Sequence, residues 1–192
     1  IKREAIYHFV SKKAFDIDGV GPKIIDQLMD AGLIRDSAAL FTLKKDDLLN
    51  IERFADKSAQ NTIDAIRSKK KVALDKFIYS LGIEHVGEET AFALAKKFKK
   101  FGNIEKVGLA ELKNIPDVGP VVAQSIFDWF QKPYHRKLIE KFKKAGVHIS
   151  EERTAKASTK LAGKTLVITG SFDSMTREEA KDKIREFGGD VS

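Results

Sequence analysis

The chain contains no cysteine among its 192 residues. This absence excludes disulfide bonds, thiolate zinc sites and cysteine nucleophiles from the sequence given. Long apolar runs are also missing, so no membrane-spanning helix is predicted and no membrane partner is expected. Residues 1–15 mix Lys, Arg and Glu with apolar residues, which is not the pattern of a signal peptide. We therefore expect a cytoplasmic protein.

Residues typical of catalytic and metal sites are scarce. The four histidines lie scattered at His8, His85, His135 and His148, with neither metal-ligand nor catalytic-triad spacing. We therefore expect no catalytic residue, no metal site and no cofactor in this sequence. What it does contain is 42% hydrophobic and 33% charged residues, the balance of a soluble globular protein.

The net charge of +7 is concentrated in one part of the chain. Residues 1–68 hold 11 basic and 11 acidic side chains, and residues 151–192 hold 8 of each. Residues 69–150 hold 16 basic and 9 acidic side chains, so the whole excess lies there. A single lysine run is usually a solvated face, but an excess confined to one segment indicates a polyanionic partner.

Four segments of the chain align with one another without gaps. They cover residues 17–25, 51–59, 83–91 and 115–123, and their starts are 34, 32 and 32 residues apart. Each begins with Ile and has an apolar residue at its fourth position, and each lies between stretches with the apolar spacing of helices. We therefore predict a mainly α fold, in which four tandem helix-hairpin-helix motifs form a compact helical domain over residues 1–150.

The first of these turns has the features of an anion site. Gly19 and Gly21 permit the backbone conformations of a very tight turn, and Val20 between them is expected to pack against the two helices. Pro22 suits the first position of the next helix, as Pro120 does in the fourth turn. Unpaired N–H groups at such a helix start point outward and attract phosphate, which is the same in every nucleotide. The turns therefore predict DNA binding that is blind to base sequence.

The four copies differ in how well they fit this pattern. The fourth has Asp117 at the first glycine position, and the third has Glu88 and Glu89 directly after Gly87, where acids repel a phosphate unless they point aside. The second has Arg53 and Ala55 in place of both glycines, so a turn kept only for packing is as good an interpretation there. The residues that we expect to contact DNA are Gly19, Val20, Gly21 and Lys23 in the first turn; Arg53 and Lys57 in the second; Val86, Gly87 and Thr90 in the third; Val118, Gly119 and Val121 in the fourth; and Lys96, Lys97, Lys99 and Lys100 in the basic run.

The last part of the chain differs from the repeats. Residues 151–160 are polar and are predicted to be a linker. Residues 161–170 predict a strand that ends in a Gly turn, followed by a helix that Ser174 or Thr176 caps and that runs to about Phe187. A second strand would then start, giving a partial β-α-β segment over residues 161–192. Half a sheet leaves apolar surface uncovered, so we expect this part to be the less stable one.

Several runs in the chain resemble a known family. The segments 8–14, 16–21, 51–54, 57–61, 81–87 and 119–123 resemble the C-terminal half of bacterial NAD+-dependent DNA ligases, in the same order. The segments 161–165, 169–170 and 175–180 resemble the start of the BRCT domain of these ligases. The resemblance covers essentially the whole chain. It implies a C-terminal ligase fragment with a helix-hairpin-helix domain and a truncated BRCT domain.

The resemblance also implies what this part of a ligase does. In the family, the hairpin domain grips nicked double-stranded DNA during replication and repair, while upstream adenylation, oligonucleotide-binding and zinc-finger domains of the same chain supply the chemistry. This chain has no cysteine cluster and no Lys-x-Asp-Gly motif, so it should be inactive alone. NAD+, Mg2+ and zinc are then implied only for the full-length parent, and a nucleoid-associated bacterial location follows.

Other classes of protein remain open on the residues alone. A helix-hairpin-helix glycosylase or lyase would use a nucleophilic Lys or a catalytic Asp shortly after a hairpin. Lys23 and Asp26 follow the first hairpin, but on a short predicted helix with no evident base-sized pocket. A protein-interaction scaffold would use the BRCT-like part. A tandem-hairpin module of another repair protein, such as a nuclease subunit or a Holliday-junction binder, would show the same turns.

Overall fold

The computed structural model describes residues 2–52, 54–116, 118–150, 159–170 and 172–191. The chain divides into two compact units, Ile1–Ser150 and Glu151–Ser192. The prediction of a mainly helical chain is confirmed. Most of the predicted linker, at residues 151–158, lies outside the described residues.

The first unit consists of short helices and one small sheet. Its elements are α1 (Lys2–Val10), α2 (Pro22–Asp30), a 3-10 helix (Ser37–Thr42), α3 (Lys45–Leu49), α4 (Asp56–Ser68), β1 (Lys71–Ala73), α5 (Leu74–Ser80), α6 (Glu88–Phe98), α7 (Phe101–Ile104), α8 (Leu109–Lys113), α9 (Pro120–Gln131), α10 (Pro133–Lys144) and β2 (His148–Ser150). The strands β1 and β2 pair in parallel, with Lys71 opposite His148 and Ala73 opposite Ser150. This pairing joins the middle of the unit to its end.

The helices begin where the sequence provides a start signal. Pro22 and Pro120 each occupy the first turn of their helix, directly after a glycine N-cap. The apolar side chains that follow are buried, among them Ile25 and Leu28 in α2. These apolar faces therefore form the core, as their spacing predicts.

A cluster of phenylalanine rings forms the centre of the first unit. Phe142 of α10 stacks on Phe9 of α1 with ring centroids 5.3 Å apart, and Phe9 in turn stacks on Phe15 at 4.2 Å. Phe77 of α5 meets Phe142 edge to face at 5.5 Å. Such ring pairs contribute about 0.5–1.5 kcal/mol each beyond the area that they bury. The cluster thus fixes helices from both ends of the unit around one core.

The second unit contains a 3-10 helix (Thr159–Leu161), β3 (Thr165–Leu166), α11 (Arg177–Glu186) and β4 (Asp190–Val191). The two strands pair in parallel, with Thr165 opposite Asp190. The prediction of a strand through residues 161–170 is therefore wrong in its length, because the only partner strand in the described part of this unit offers two residues for pairing. The prediction of a strand, a helix and a second strand in this order holds.

The helix α11 starts with a reciprocal cap. Thr176 Oγ1 accepts a hydrogen bond from the N–H of Glu179 at 3.2 Å, and the N–H of Thr176 donates to Glu179 Oε2 at 2.6 Å. Of the two predicted caps, Thr176 is therefore the one used. Apolar side chains stay exposed in this unit, since Val167 is 68% and Phe172 44% accessible.

Candidate nucleic-acid interface

One hydrogen bond recurs at the four predicted turns. In each, the N–H of the fourth residue donates to the carbonyl of the first, which is an isoleucine. The pairs are Val20 with Ile17 at 3.2 Å, Phe54 with Ile51 at 3.2 Å, Val86 with Ile83 at 3.0 Å and Val118 with Ile115 at 3.1 Å. Segments with quite different third residues thus close the same kind of four-residue turn.

In the first and third turns, the third residue adopts a left-handed backbone. Its φ is +72° at Gly19 in the first turn and +64° at His85 in the third. Glycine adopts this conformation freely, whereas a residue with a side chain is strained there by roughly 1–2 kcal/mol. The equivalent residues of the second and fourth turns, Arg53 and Asp117, lie outside the described residues. The first turn is therefore the less strained of the two that can be compared.

Three turns continue directly into a helix through a glycine. Gly21, Gly87 and Gly119 are the N-caps of α2, α6 and α9, and their backbones are extended. The carbonyl of each accepts the first helical hydrogen bond, as from Ile25 to Gly21 at 3.1 Å. Within the described part of the chain, no group accepts a hydrogen bond from the N–H of these three glycines. Each turn therefore presents an unused donor at the positive end of a helix.

The space beside these three glycines is empty. A Cβ placed on Gly21, Gly87 or Gly119 would meet no atom within 4 Å, and their φ values are not left-handed. Packing within the chain therefore does not require glycine at these positions. What glycine adds there is room for another molecule to approach the backbone closely.

The second turn differs from the other three. The N–H of Ala55, the N-cap of α4, donates to Ser58 Oγ at 2.9 Å. The side chain of its own helix thus occupies the donor that the other turns leave unused. Lys57 is exposed beside it, while the predicted contact Arg53 lies outside the described residues. A contact at this turn would therefore come from a side chain such as Lys57.

The predicted valines have a structural place. Val20, Val86 and Val118 are buried, and their N–H groups are used within the turns. They hold the turns in shape rather than offering a free group. Val121, by contrast, is 64% exposed directly after Gly119 and Pro120. Lys23 is exposed and Thr90 half-buried, each in the first turn of the helix that follows its hairpin.

The predicted basic run lies at the other end of a helix. Lys96 and Lys97 are in the last turn of α6, Lys99 follows its end with φ +61°, and Lys100 precedes α7. The third turn is at the start of α6, which at eleven residues is about 16 Å long. The basic run and Gly87 thus lie at opposite ends of α6, a separation that the sequence alone did not indicate.

A groove separates the first and second turns. It has a volume of about 530 Å³, and Gly19, Lys23, Phe54 and Ser58 are among its lining residues. Asp26 also lines it, so the Lys and Asp of the glycosylase alternative do share a cavity. The pKa of Asp26 is lowered, however, because the Tyr7 hydroxyl and the Arg3 guanidinium donate hydrogen bonds to its carboxylate. A carboxylate held ionised in this way is a weak proton acceptor and a poor general base.

The described residues include no group of His, Cys, Asp and Glu that is placed to hold a metal ion. Within the same part of the chain, every helix is too short or too polar to cross a bilayer.

Three protein-family models match the chain. The model described as a SAM-like helix-hairpin-helix tandem matches residues 12–68, and the helix-hairpin-helix motif model matches residues 76–139. These ranges contain the first two and the last two turns. The BRCA1 C Terminus (BRCT) domain model matches residues 156–192.

Curated relatives match along the whole chain. A DNA ligase of Halothermothrix orenii is 45% identical over 100% of this chain and 29% of its own length. DNA ligases of Desulfitobacterium hafniense and Nitrosococcus oceani are 44% and 42% identical, over 98% and 100% of this chain and 28% of their own lengths. The predicted resemblance to the DNA ligase family is thereby confirmed, and the chain spans less than a third of the length of these relatives.

Proposed function

We propose that this chain, a homologue of part of the DNA ligases, binds double-stranded DNA through the phosphate backbone without reading the base sequence. The observation that carries the proposal is the set of three glycine N-caps, Gly21, Gly87 and Gly119. Each combines an unused N–H, open space and a helix start, which together suit a phosphate oxygen. Because every nucleotide carries the same phosphate, such contacts position the protein but do not select a sequence.

The basic excess supports the same proposal at longer range. Residues 69–150 carry the whole net charge of +7, and most of the lysines in this segment are exposed. Positive side chains that neutralise phosphates release counterions from DNA, so they add affinity that falls with salt. The turns and the lysines therefore contribute to binding in different ways, one by local geometry and the other by charge.

In a complete ligase, this region would hold nicked duplex DNA during replication and repair. The groups that use NAD+, Mg2+ and zinc would belong to upstream domains of the same polypeptide, and the site of action would be the bacterial nucleoid. No step of nick sealing is assigned to residues of this chain. We expect the purified chain to form no covalent adduct with labelled AMP, and such an adduct would contradict this division of roles.

The proposal is tested by a salt titration on several duplexes. The affinity for unrelated sequences of equal length should agree within about threefold, a difference below 0.7 kcal/mol. The logarithm of the binding constant should fall linearly with the logarithm of salt concentration, with a slope of about 0.9 for each neutralised phosphate. A strong preference for one sequence, or no binding at low salt, would refute it.

A further inference from the structure

An ion pair joins the loop before the first hairpin to the third hairpin. Lys13 follows α1, and its Nζ lies 2.6 Å from Glu88 Oε1. Glu88 is the first residue of α6 and comes directly after Gly87. The two residues are 75 positions apart in sequence. The ion pair therefore reaches from the loop before the first hairpin to the helix start that follows the third hairpin.

The carboxylate of Glu88 has opposite effects on the helix and on a ligand. A negative charge at a helix start stabilises the helix, because it faces the positive end of the dipole. The same charge repels a phosphate that approaches the N–H of Gly87. Lys13 lowers this repulsion and holds the carboxylate, whose side chain is 23% exposed against 50% for Lys13. An exposed ion pair of this kind adds little to the stability of the fold.

We propose that Lys13 is a positioning residue for the third hairpin. By binding Glu88, it keeps the carboxylate away from the donor of Gly87 and cancels its charge, so that a DNA phosphate can bind there. This inference rests on the proposed function, since it names how one of the three glycine sites accepts an anion despite the acid beside it. Lys13 acts through Glu88 and does not itself need to touch the DNA.

The test separates the effect of Glu88 from a direct contact of Lys13. The whole chain would carry Lys13→Met, Glu88→Gln or both, and the anisotropy of a labelled duplex of arbitrary sequence would report affinity at low salt. We expect Lys13→Met to weaken binding about threefold to tenfold, since the carboxylate of Glu88 then loses this cation and repels the phosphate more strongly. The double variant should return to within about twofold of the parent, because the repelling carboxylate is then absent as well. Lys13→Arg should bind like the parent.

Two matched variants control for total charge. Lys12→Met removes the same charge from an exposed side chain that precedes Lys13 directly, and it should weaken binding less than Lys13→Met. Glu84→Gln, made together with Lys13→Met, removes an acid of the same hairpin that is 82% exposed, and it should not restore binding. Equal thermal unfolding midpoints of the variants would show that the losses are not due to unfolding.

Each result decides between stated alternatives. If the double variant stays as weak as Lys13→Met, Lys13 contacts the phosphate itself or only supports the fold, and the inference is wrong. If Glu84→Gln restores binding as well as Glu88→Gln does, only total charge matters, and the inference is equally wrong. If the parent chain binds no duplex, the proposed function fails and this inference fails with it.

Discussion

The N–H of Ala55 donates a hydrogen bond to Ser58 Oγ at 2.9 Å. A side chain of the second hairpin thus occupies the backbone donor that the other three hairpins leave unused in the described part of the chain. Ala55 occupies the position of Gly21, Gly87 and Gly119 and caps its helix with the same extended backbone. The conformation of the turn is thus repeated in the second hairpin, while the unused N–H donor of the other three is not. Because residues 21 and 55 are equivalent in the repeat, exchanging Gly and Ala at each of them tests the effect of the same methyl group on binding at two turns.

We predict that Gly21→Ala weakens DNA binding at every salt concentration, whereas Ala55→Gly leaves it unchanged. The added Cβ at residue 21 meets no atom of the protein and acts on the space that a phosphate needs. Removing the Cβ of Ala55 frees no donor, because Ser58 still holds the N–H. Affinity for one duplex, measured at several salt concentrations, checks both variants.

The stability of the two variants must be measured with the affinity. Alanine is a poorer N-cap than glycine, so Gly21→Ala should lower the free energy of unfolding by up to about 1 kcal/mol while the chain stays folded. Equal affinity of Gly21→Ala and the parent would show that no phosphate approaches this backbone. Tighter binding by Ala55→Gly would show that the second hairpin is an open site after all.

A second prediction concerns the relative stability of the two units. The second unit has two strands of two residues each, and Val167 and Phe172 are exposed on it. The first unit is built around a cluster of buried phenylalanines instead. We therefore expect amide hydrogens of β3 and β4 to exchange with solvent faster than those of α9 and α10. Equal protection factors in hydrogen-exchange measurements would contradict this expectation.

The sequence predicted those features that depend on neighbouring residues. Gly21 followed by Pro22 indicates a helix start, and the apolar spacing of Ile25 and Leu28 indicates the buried face of that helix. The start and the buried face of α2 could therefore both be predicted. The strands β1 and β2 were not predicted, because three residues of each pair with partners far along the chain. Phe142 is central to the core for a similar reason, since its contacts depend on how distant helices pack.

The same limit applies to the candidate site. The glycine caps were predicted from local sequence, but nothing local indicated that Ser58 occupies the Ala55 donor or that Lys13 binds Glu88. The first depends on a side-chain rotamer and the second on two residues 75 positions apart. The position of the lysine run also depends on the length and direction of α6, which a repeat pattern does not fix.

A third prediction concerns acid stability and His135. Its ring stacks on Trp129 with centroids 4.1 Å apart, and its Nδ1 lies 2.8 Å from the Trp129 carbonyl oxygen. Burial, with a smaller effect from Lys132, lowers the pKa of His135 below its usual value of 6.5, although the Trp129 carbonyl opposes this shift. The unfolded chain therefore binds a proton more readily than the folded chain. The free energy of unfolding should consequently decrease as the pH falls through 6.5 toward the lower folded-state pKa.

The variant His135→Gln isolates this effect, because it shares every other ionisable group with the parent. Its free energy of unfolding, from urea denaturation, should be lower than that of the parent at neutral pH, where the neutral ring packs on Trp129. The gap should narrow as the pH falls below 6.5, since the parent alone loses the contribution of the neutral ring. A gap that is independent of pH would show that His135 titrates normally.

The last prediction tests whether DNA affinity depends on the position of the basic run or only on the net charge of the chain. Replacing Lys96, Lys97, Lys99 and Lys100 with Gln should lower affinity mainly at low salt and flatten the salt dependence, because fewer counterions are released. The full effect would be about 0.9 per lysine in the slope, and we expect less, since the run lies about 16 Å from the third turn. A control replaces Lys113, Lys132, Lys137 and Lys144, which are exposed on α8, α10 and the residue before α10. Equal salt-dependence slopes for the two variants would mean that only net charge matters. A slope equal to that of the parent for the variant of the basic run would mean that this run is a solvated face that takes no part in binding.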